Sequence, residues 1–290
     1  MEIIRKGQRQ DQGPVLELKE YCNEDGSTLP VLQFPVLEET GIVRHFFTTR
    51  LGGVSEGEFR SMNLSFTRGD DPAKVHRNYQ RVAAALGTDE AHLVLTYQVH
   101  HTNVRRVTMA DAGKGTIRER DWNDLDGLVT NERGLALGTF FADCVPLMFV
   151  DPRHQAIGAC HSGWRGTVKR IGRVTLRKMR EEFDTDPADV ICAIGPSICQ
   201  DCYEVSADVA EEFIRAFPGR EDSILIDEHN GHYLLDLWEA CRITLLEEGV
   251  PEGNILMTDI CTCENPELLF SHRACKGAPH GNIGGFLMLR

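Results

Sequence analysis

Two histidines and a cysteine stand where strand-like stretches end. His100 follows Gln98-Val99, Cys144 follows Ala142-Asp143 after the apolar run Leu135 to Phe141, and His161 follows the run Gln155 to Cys160. Two imidazoles and one thiolate make a donor set that suits zinc and leaves one tetrahedral position open. Water in an open position of that kind ionises near neutral pH. Cys144 and His161 also suit a chemistry without metal, in which the histidine lowers the thiol pKa and the thiolate attacks. Gly163 and Gly166, on either side of Trp164-Arg165, would then supply backbone freedom for an oxyanion nest. That alternative leaves His100 without a task. Asp143 is the adjoining carboxylate, suited to hold a ligand imidazole or to take a proton from water. Neighbouring residues of a strand face opposite ways, so a purely structural role fits it equally well.

Anion-binding residues form a second group. Arg50 borders Gly52-Gly53, Asn63 follows Ser61-Met62, and Arg273 ends Phe270-Ser271-His272. Guanidinium groups grip phosphate through paired hydrogen bonds, which suits Arg50 and Arg273 to a phosphate or ribose. Cys199-x-x-Cys202 and Cys261-x-Cys263 have the form of two ligand pairs for a structural metal, one of them short by a residue. The plainer account is scattered reduced thiols, as with Cys192, Cys241 and Cys275.

The elements that position these residues follow from periodicity. Short apolar runs bounded by turn residues predict strands at 15–18, 29–34, 42–49, 92–98, 127–130, 135–141, 155–160, 189–194 and 285–289. The strands 135–141 and 155–160 are expected to lie side by side. Helical spacing predicts helices from Asp71-Pro72 to Leu86, from Trp164 to Phe183, from Ser206 to Phe217 and from Leu234 to Glu248. Ser206 is the expected cap of the third. Strands and helices alternate without a Gly-x-Gly-x-x-Gly turn or an internal repeat. The expectation is a single α/β domain with mixed sheets flanked by helices.

At 290 residues the chain can bury a large core, and 41% hydrophobic with 26% charged residues is ordinary for a globular protein. A net charge of −13, from 31 basic and 44 acidic residues, argues against nucleic acid as a partner. The start Met1-Glu2-Ile3-Ile4-Arg5-Lys6 lacks the apolar core of a secretion signal, and no run approaches a membrane span. Ten cysteines without an export signal are expected to be thiols, and the expected address is the cytoplasm.

Taken in order, these residues resemble the multicopper polyphenol oxidase, or laccase-domain, family. Its members are read as purine nucleoside phosphorylases with adenosine deaminase activity, and some are named peptidoglycan editing factors. The resemblance rests on Thr48-Thr49-Arg50-x-Gly52-Gly53-Val54-Ser55, Ser61-Met62-Asn63-Leu64-Ser65, Gly69-Asp70-Asp71-Pro72 and Gln98-Val99-His100. It continues through Asp126-Gly127-Leu128-Val129-Thr130, Ala142-Asp143-Cys144-Val145-Pro146-Leu147 and His161-Ser162-Gly163-Trp164-Arg165-Gly166-Thr167. Ile194-Gly195-Pro196-Ser197-Ile198, Cys202-Tyr203-Glu204-Val205 and Phe270-Ser271-His272-Arg273 complete it.

The resemblance implies an α+β sandwich, with a laccase-domain-like catalytic domain over 36–290; residues 1–35, which carry none of its motifs, read as an amino-terminal arm. It implies a Zn2+ ion, or copper in its place, held by His100, Cys144 and His161. The implied reactions are phosphorolysis of adenosine, inosine, guanosine or methylthioadenosine, and deamination of adenosine. Asp143, Cys144 and His161 would be catalytic, with Arg50, Asn63 and Arg273 on the substrate. The family fold is related to that of a toxin deamidase, so a Cys-His hydrolase or amidase editing peptidoglycan precursors stands as the alternative. Copper-dependent phenol oxidation is the lesser one, since a single site of one cysteine and two histidines does not match a multi-copper arrangement. Departures from the family pattern include His101 where a glycine is usual, Tyr79-Gln80 for a basic pair, and the tail Lys276 to Gly281.

Overall fold

The computed structural model describes residues 2–6, 14–23 and 25–290. Two six-stranded mixed sheets stack face to face. The first runs, in spatial order, Glu17–Cys22, Thr28–Gln33, Val43–Thr48, Ile283–Leu289, Ala136–Phe141, Leu93–Leu95. The second runs Ile255–Met257, Ile191–Ile194, Val145–Asp151, Ala156–Ser162, Gly127–Thr130, Val104–Arg106. A three-stranded sheet (Glu204–Ser206, His232–Leu235, Leu225–Asp227) stands apart.

Period-two alternation explains the layering. In the terminal strand, Ile283, Leu287 and Leu289 join Phe47, Leu137, Met148, Val150 and Ile157 between the sheets. Its Phe286 and Met288 face the other way, onto Val75, Tyr79, Val82 and Leu86 of the helix Pro72–Leu86. The outer face of the second sheet, with Leu147, Phe149 and Ile194, is covered by Leu176 and Met179 of Ile171–Phe183 and Leu245 of Leu237–Glu247. The order of layers is therefore helix, sheet, sheet, helix. Strands covered on both faces read as unbroken apolar runs, as Val145–Asp151 does. Among the described residues no helix is long and apolar enough to cross a membrane.

The helix Pro72–Leu86 has the expected ends. Asp71 accepts the Ala73 N–H at 2.9 Å, Pro72 opens the first turn, and Gly87 closes it at φ 75°. Elsewhere the structure departs from expectation. The stretch from Trp164 to Phe183 is two helices, Trp164–Val168 and Ile171–Phe183, broken at Arg170 with φ 62°. The left-handed backbone costs roughly 1–2 kcal/mol. It is held by the Arg170 guanidinium, which donates to Glu247, Thr244 and the Ala216 carbonyl and lies 3.7 Å over the Phe217 ring. The segment from Leu234 divides likewise into the strand His232–Leu235 and a helix starting at Leu237, capped by Asp236. Ser206 stands at the cap of Ala207–Ala216, but its hydroxyl donates to the Asp208 carboxylate and accepts no backbone N–H of the helix. The strand expected over 92–98 shrinks to Leu93–Leu95.

One correction bears on the site. Ala136–Phe141 and Ala156–Ser162 are not neighbours in a sheet: they belong to opposite sheets. The chain leaves the first sheet at Phe141, turns through Ala142-Asp143-Cys144, and enters the second as Val145–Asp151. That strand pairs antiparallel with Ala156–Ser162, with Val145 opposite Ser162 and Pro146 opposite His161. Register alone thus sets Cys144 beside Gly163.

Candidate metal centre

His100 sits in a loop at φ 63°, a left-handed conformation uncommon outside glycine. Two side chains hold that loop. Gln98 donates to the Phe140 carbonyl at 2.6 Å and accepts the Phe140 N–H at 2.7 Å, tying the loop to the first sheet. The Asp126 carboxylate accepts three successive backbone N–H groups, from Val99 (3.0 Å), His100 (3.1 Å) and His101 (3.0 Å). Asp126 immediately precedes the strand Gly127–Thr130 of the second sheet, so one carboxylate binds the loop to both halves of the sandwich.

The same carboxylate meets His161, whose Nδ1 lies 2.9 Å from Asp126 Oδ1. A carboxylate only accepts, so the imidazole hydrogen sits on Nδ1 and Nε2 is left for another partner. The His100 and His161 rings stand nearly perpendicular (80°) with centroids 4.8 Å apart. Cys144 Sγ lies 3.9 Å from His100 Nε2. Donor atoms of His100, Cys144 and His161 all fall within 4.8 Å of one another. Gly163 makes room for them. A methyl group there would stand 2.6 Å from His100 Cδ2 and 3.1 Å from Cys144 Sγ.

The charges are coupled. Burial raises the Cys144 thiol pKa, but the His161 charge and hydrogen bonds with both imidazoles outweigh it and bring the thiol down to about 6. Burial likewise opposes the His161 imidazolium, yet Cys144 and Asp126 lift it to about 9. Asp126 is desolvated too, and the imidazole with its backbone donors still holds it below the ordinary carboxylate range. Without a metal the pair is a thiolate beside an imidazolium, oriented by a carboxylate. Two borderline nitrogens and one soft sulfur converging on one point, with a carboxylate behind an imidazole, also fit a zinc or copper ion.

Asp143 is turned at φ 96° and is nearly buried. Its carboxylate accepts the Thr262 hydroxyl and the Arg273 N–H, each at 2.7 Å, and its carbonyl accepts the Ile198 N–H at 3.0 Å. The Arg273 guanidinium donates to the Glu204 carbonyl and lies 5.3 Å over the Tyr203 ring. Arg50 lies further along, donating to the Arg60 and Pro266 carbonyls above Phe270. Asn63 is fully buried and donates to Asp70 and Ser65.

Several residues of the site were given no role by the sequence, though Asp126 and His272 lie within motifs quoted above. Asp126 is the foremost; only its place before the strand Gly127–Thr130 hinted at it. Arg68 is half-buried within electrostatic reach of Cys144, and its guanidinium lies 3.1 Å from His280 Nε2. His272 Nδ1 lies 3.1 Å from the same nitrogen, so three basic side chains meet around one imidazole nitrogen. Burial, Arg68 and His272 together depress the His280 pKa, with only the Gly281 carbonyl and Asp143 opposing.

Comparison with known proteins places these features. Residues 44–290 match the family model described as multi-copper polyphenol oxidoreductase laccase. The chain is 37% identical over 235 residues to the purine nucleoside phosphorylase YlmD of Bacillus subtilis, covering 80% of this chain and 83% of that protein. It is 33% identical over 236 residues to the adenosine deaminase RL5 of an unknown prokaryote, covering 80% and 88% respectively. The crystal structure of YlmD from Geobacillus stearothermophilus superposes with a TM-score of 0.84 at 31% identity, over the whole of both chains.

Proposed function

This chain belongs to the multi-copper polyphenol oxidoreductase laccase family, and from that premise we propose that it is a metal-dependent enzyme that phosphorolyses purine nucleosides and deaminates adenosine. The observation that carries the proposal is the convergence of the His100, Cys144 and His161 donor atoms within 4.8 Å, with Asp126 fixing the His161 tautomer. The names of the relatives YlmD and RL5 support the substrate class. His100, Cys144 and His161 would hold zinc or copper, which when bound supplies Lewis acidity to a substrate or water oxygen.

The chain's own residues would do the rest. In phosphorolysis a phosphate oxygen bonds to C1′ of the ribose, the C1′–N9 bond breaks, and the purine leaves with a proton. Asp143, held by Thr262 and the Arg273 N–H, is the proposed carrier of that proton. In deamination water adds to C6 of adenosine and ammonia departs, with the same carboxylate moving the proton. The Arg68 guanidinium, with the His272 and His280 imidazoles gathered around it, is the proposed seat for the phosphate, with Arg273 towards the ribose. Arg50 and Asn63, committed to carbonyls and to Asp70, would shape the wall behind them.

A second reading draws on the same side chains. Asp126, His161 and Cys144 stand as orienter, base and nucleophile, and the depressed thiol with the elevated imidazole favours a metal-free hydrolase or amidase, for instance on peptidoglycan precursors. The side chains alone suit this reading at least as well. One experiment separates the two: purified protein, analysed for metal, is incubated with a nucleoside panel and phosphate. Stoichiometric metal, ribose 1-phosphate release and its loss in His161→Ala support the first. A protein whose metal content is unchanged by His161→Ala, that is inert to nucleosides, and that forms a trapped acyl-Cys144 with amide substrates, supports the second.

A further inference from the structure

Four other cysteines, distant in sequence, meet in space. Cys199 precedes the turn Gln200–Cys202 and Cys202 ends it, and Cys261 and Cys263 flank Thr262. The two segments are joined by a bridge between Ser197 and Cys261, reinforced by the Thr262 N–H donating to the Ser197 carbonyl at 3.0 Å. The sulfurs of Cys199, Cys202 and Cys261 all lie within 4.8 Å of one another, and the Cys263 thiol is in hydrogen-bond contact with Cys202. Zinc–sulfur bonds of about 2.3 Å at tetrahedral angles set sulfurs about 3.8 Å apart, so Cys199, Cys202 and Cys261 close onto an ion with only small side-chain rotations, and Cys263 turns further from its contact with Cys202 to complete the set.

The surroundings suit thiolates. Cys199 and Cys261 are buried. Cys261 Sγ accepts the Cys199 N–H at 3.3 Å and lies against the N–H groups of Cys263 and Glu264. Lys6 brings an ammonium to the cluster, 2.9 Å from Asp201 and 2.6 Å from Glu264. Those two carboxylates also approach the Cys199 sulfur, but Lys6 holds both, which leaves an all-sulfur set for a soft or borderline cation.

We propose that Cys199, Cys202, Cys261 and Cys263 form a second, structural metal site that takes zinc. Binding releases the thiol protons to solvent and leaves four thiolates on one ion. The site clamps the segments around 197–203 and 260–265. Both hold Asp143: Ile198 donates to its carbonyl, and Thr262, between two ligand cysteines, donates to its carboxylate. The ion thereby stiffens the turn that presents Cys144, whatever chemistry Cys144 performs. The inference stands independently of the reading of His100, Cys144 and His161.

Elemental analysis tests it, on protein dialysed against micromolar free zinc. A variant carrying His100→Ala, Cys144→Ala and His161→Ala is expected to keep one zinc per chain, and X-ray absorption is expected to find sulfur neighbours alone at about 2.3 Å. Cys199→Ser with Cys261→Ser is expected to lose one equivalent relative to the wild type and to melt at lower temperature. Should either variant not fold, organomercurial titration of the wild type gives the answer: one zinc should leave in step with modification of these four cysteines, mapped by mass spectrometry. A triple variant without zinc, a nitrogen-rich shell, zinc release uncoupled from these thiols, or a Cys199–Cys261 disulfide in anaerobically purified protein would each overturn it. A wild type and a triple variant that each hold one zinc would count against the catalytic metal and support the four-cysteine site.

Discussion

Asp126 and His161 are joined twice: the Asp126 carbonyl accepts the His161 N–H at 2.8 Å, and its carboxylate lies 2.9 Å from His161 Nδ1. The backbone link fixes where the imidazole starts and the side-chain link fixes which way it turns. Because the carboxylate also gathers the N–H groups of residues 99–101, it sets the distance between the two histidines.

Asp126→Asn should therefore damage the site without contact with a substrate. Carboxylates behind ligand histidines are worth about 10–100-fold in metal affinity or activity. A loss of that size is expected in both, with circular dichroism unchanged. Zinc titration and kcat/KM measure it, and values within twofold of wild type would remove Asp126 from the positioning role.

In metal-stripped protein, alkylation of Cys144 should follow a thiolate forming near pH 6, well below an ordinary cysteine at about 8.5. Replacing His161 by alanine removes the neighbouring positive charge, so the midpoint should move up. Iodoacetamide rates across pH 5–9, read by mass spectrometry, provide the check. A wild-type midpoint of about 8 or higher would contradict the ion pair.

Gly163 has φ −71°, open to any residue, so its constraint is space and not conformation. In Gly163→Ala the new methyl would collide with the His100 ring and press on Cys144 Sγ. Activity should drop by about tenfold or more, as misplacement of reacting groups by an ångström does. Stability should fall by no more than about 1–3 kcal/mol. Equal kcat/KM in variant and wild type would show that the ring moves aside freely.

Asp151 predicts how the fold responds to acid. Its buried carboxylate accepts the N–H groups of Arg153 (2.9 Å) and His154 (3.0 Å) and lies 2.8 Å from His154 Nδ1, closing the turn between the paired central strands. Burial acts to raise its pKa, but these donors with Thr185 win and lower it. A depressed folded pKa means stability fully present above the unfolded value of about 4 and lost as pH falls through the folded one. Asp151→Asn should thus cost about 1–3 kcal/mol at pH 7, with the gap to wild type narrowing below pH 4. Urea melts at pH 7, 5 and 3 test it, and a gap that widens on acidification would refute the sign.

The donor residues themselves were legible in the chain. A histidine or cysteine at the end of an apolar run is a donor group at a strand end, and buried strands advertise themselves by unbroken hydrophobicity. His100, Cys144 and His161 were found that way, as were the strands of the first sheet and the capped helix after Asp71, whereas Val145–Asp151, Val104–Arg106 and Ile255–Met257 of the second sheet were missed. Helix breaks were not, because an apolar period continues across Arg170 while its φ depends on Glu247 and Phe217, far along the chain. The basic trio Arg68, His272 and His280 was hidden for the same reason: its members meet only in space.

What the amino-acid order determined by itself is a list of groups and the strands that carry them, because periodicity and side-chain chemistry are local properties. Tertiary structure decided which of these groups converge on one point. The register of one hairpin set Cys144 against Gly163, and one carboxylate between two sheets aligned both imidazoles. Such contacts join residues tens of positions apart through strand pairing and single hydrogen bonds, and neither leaves a mark on local sequence.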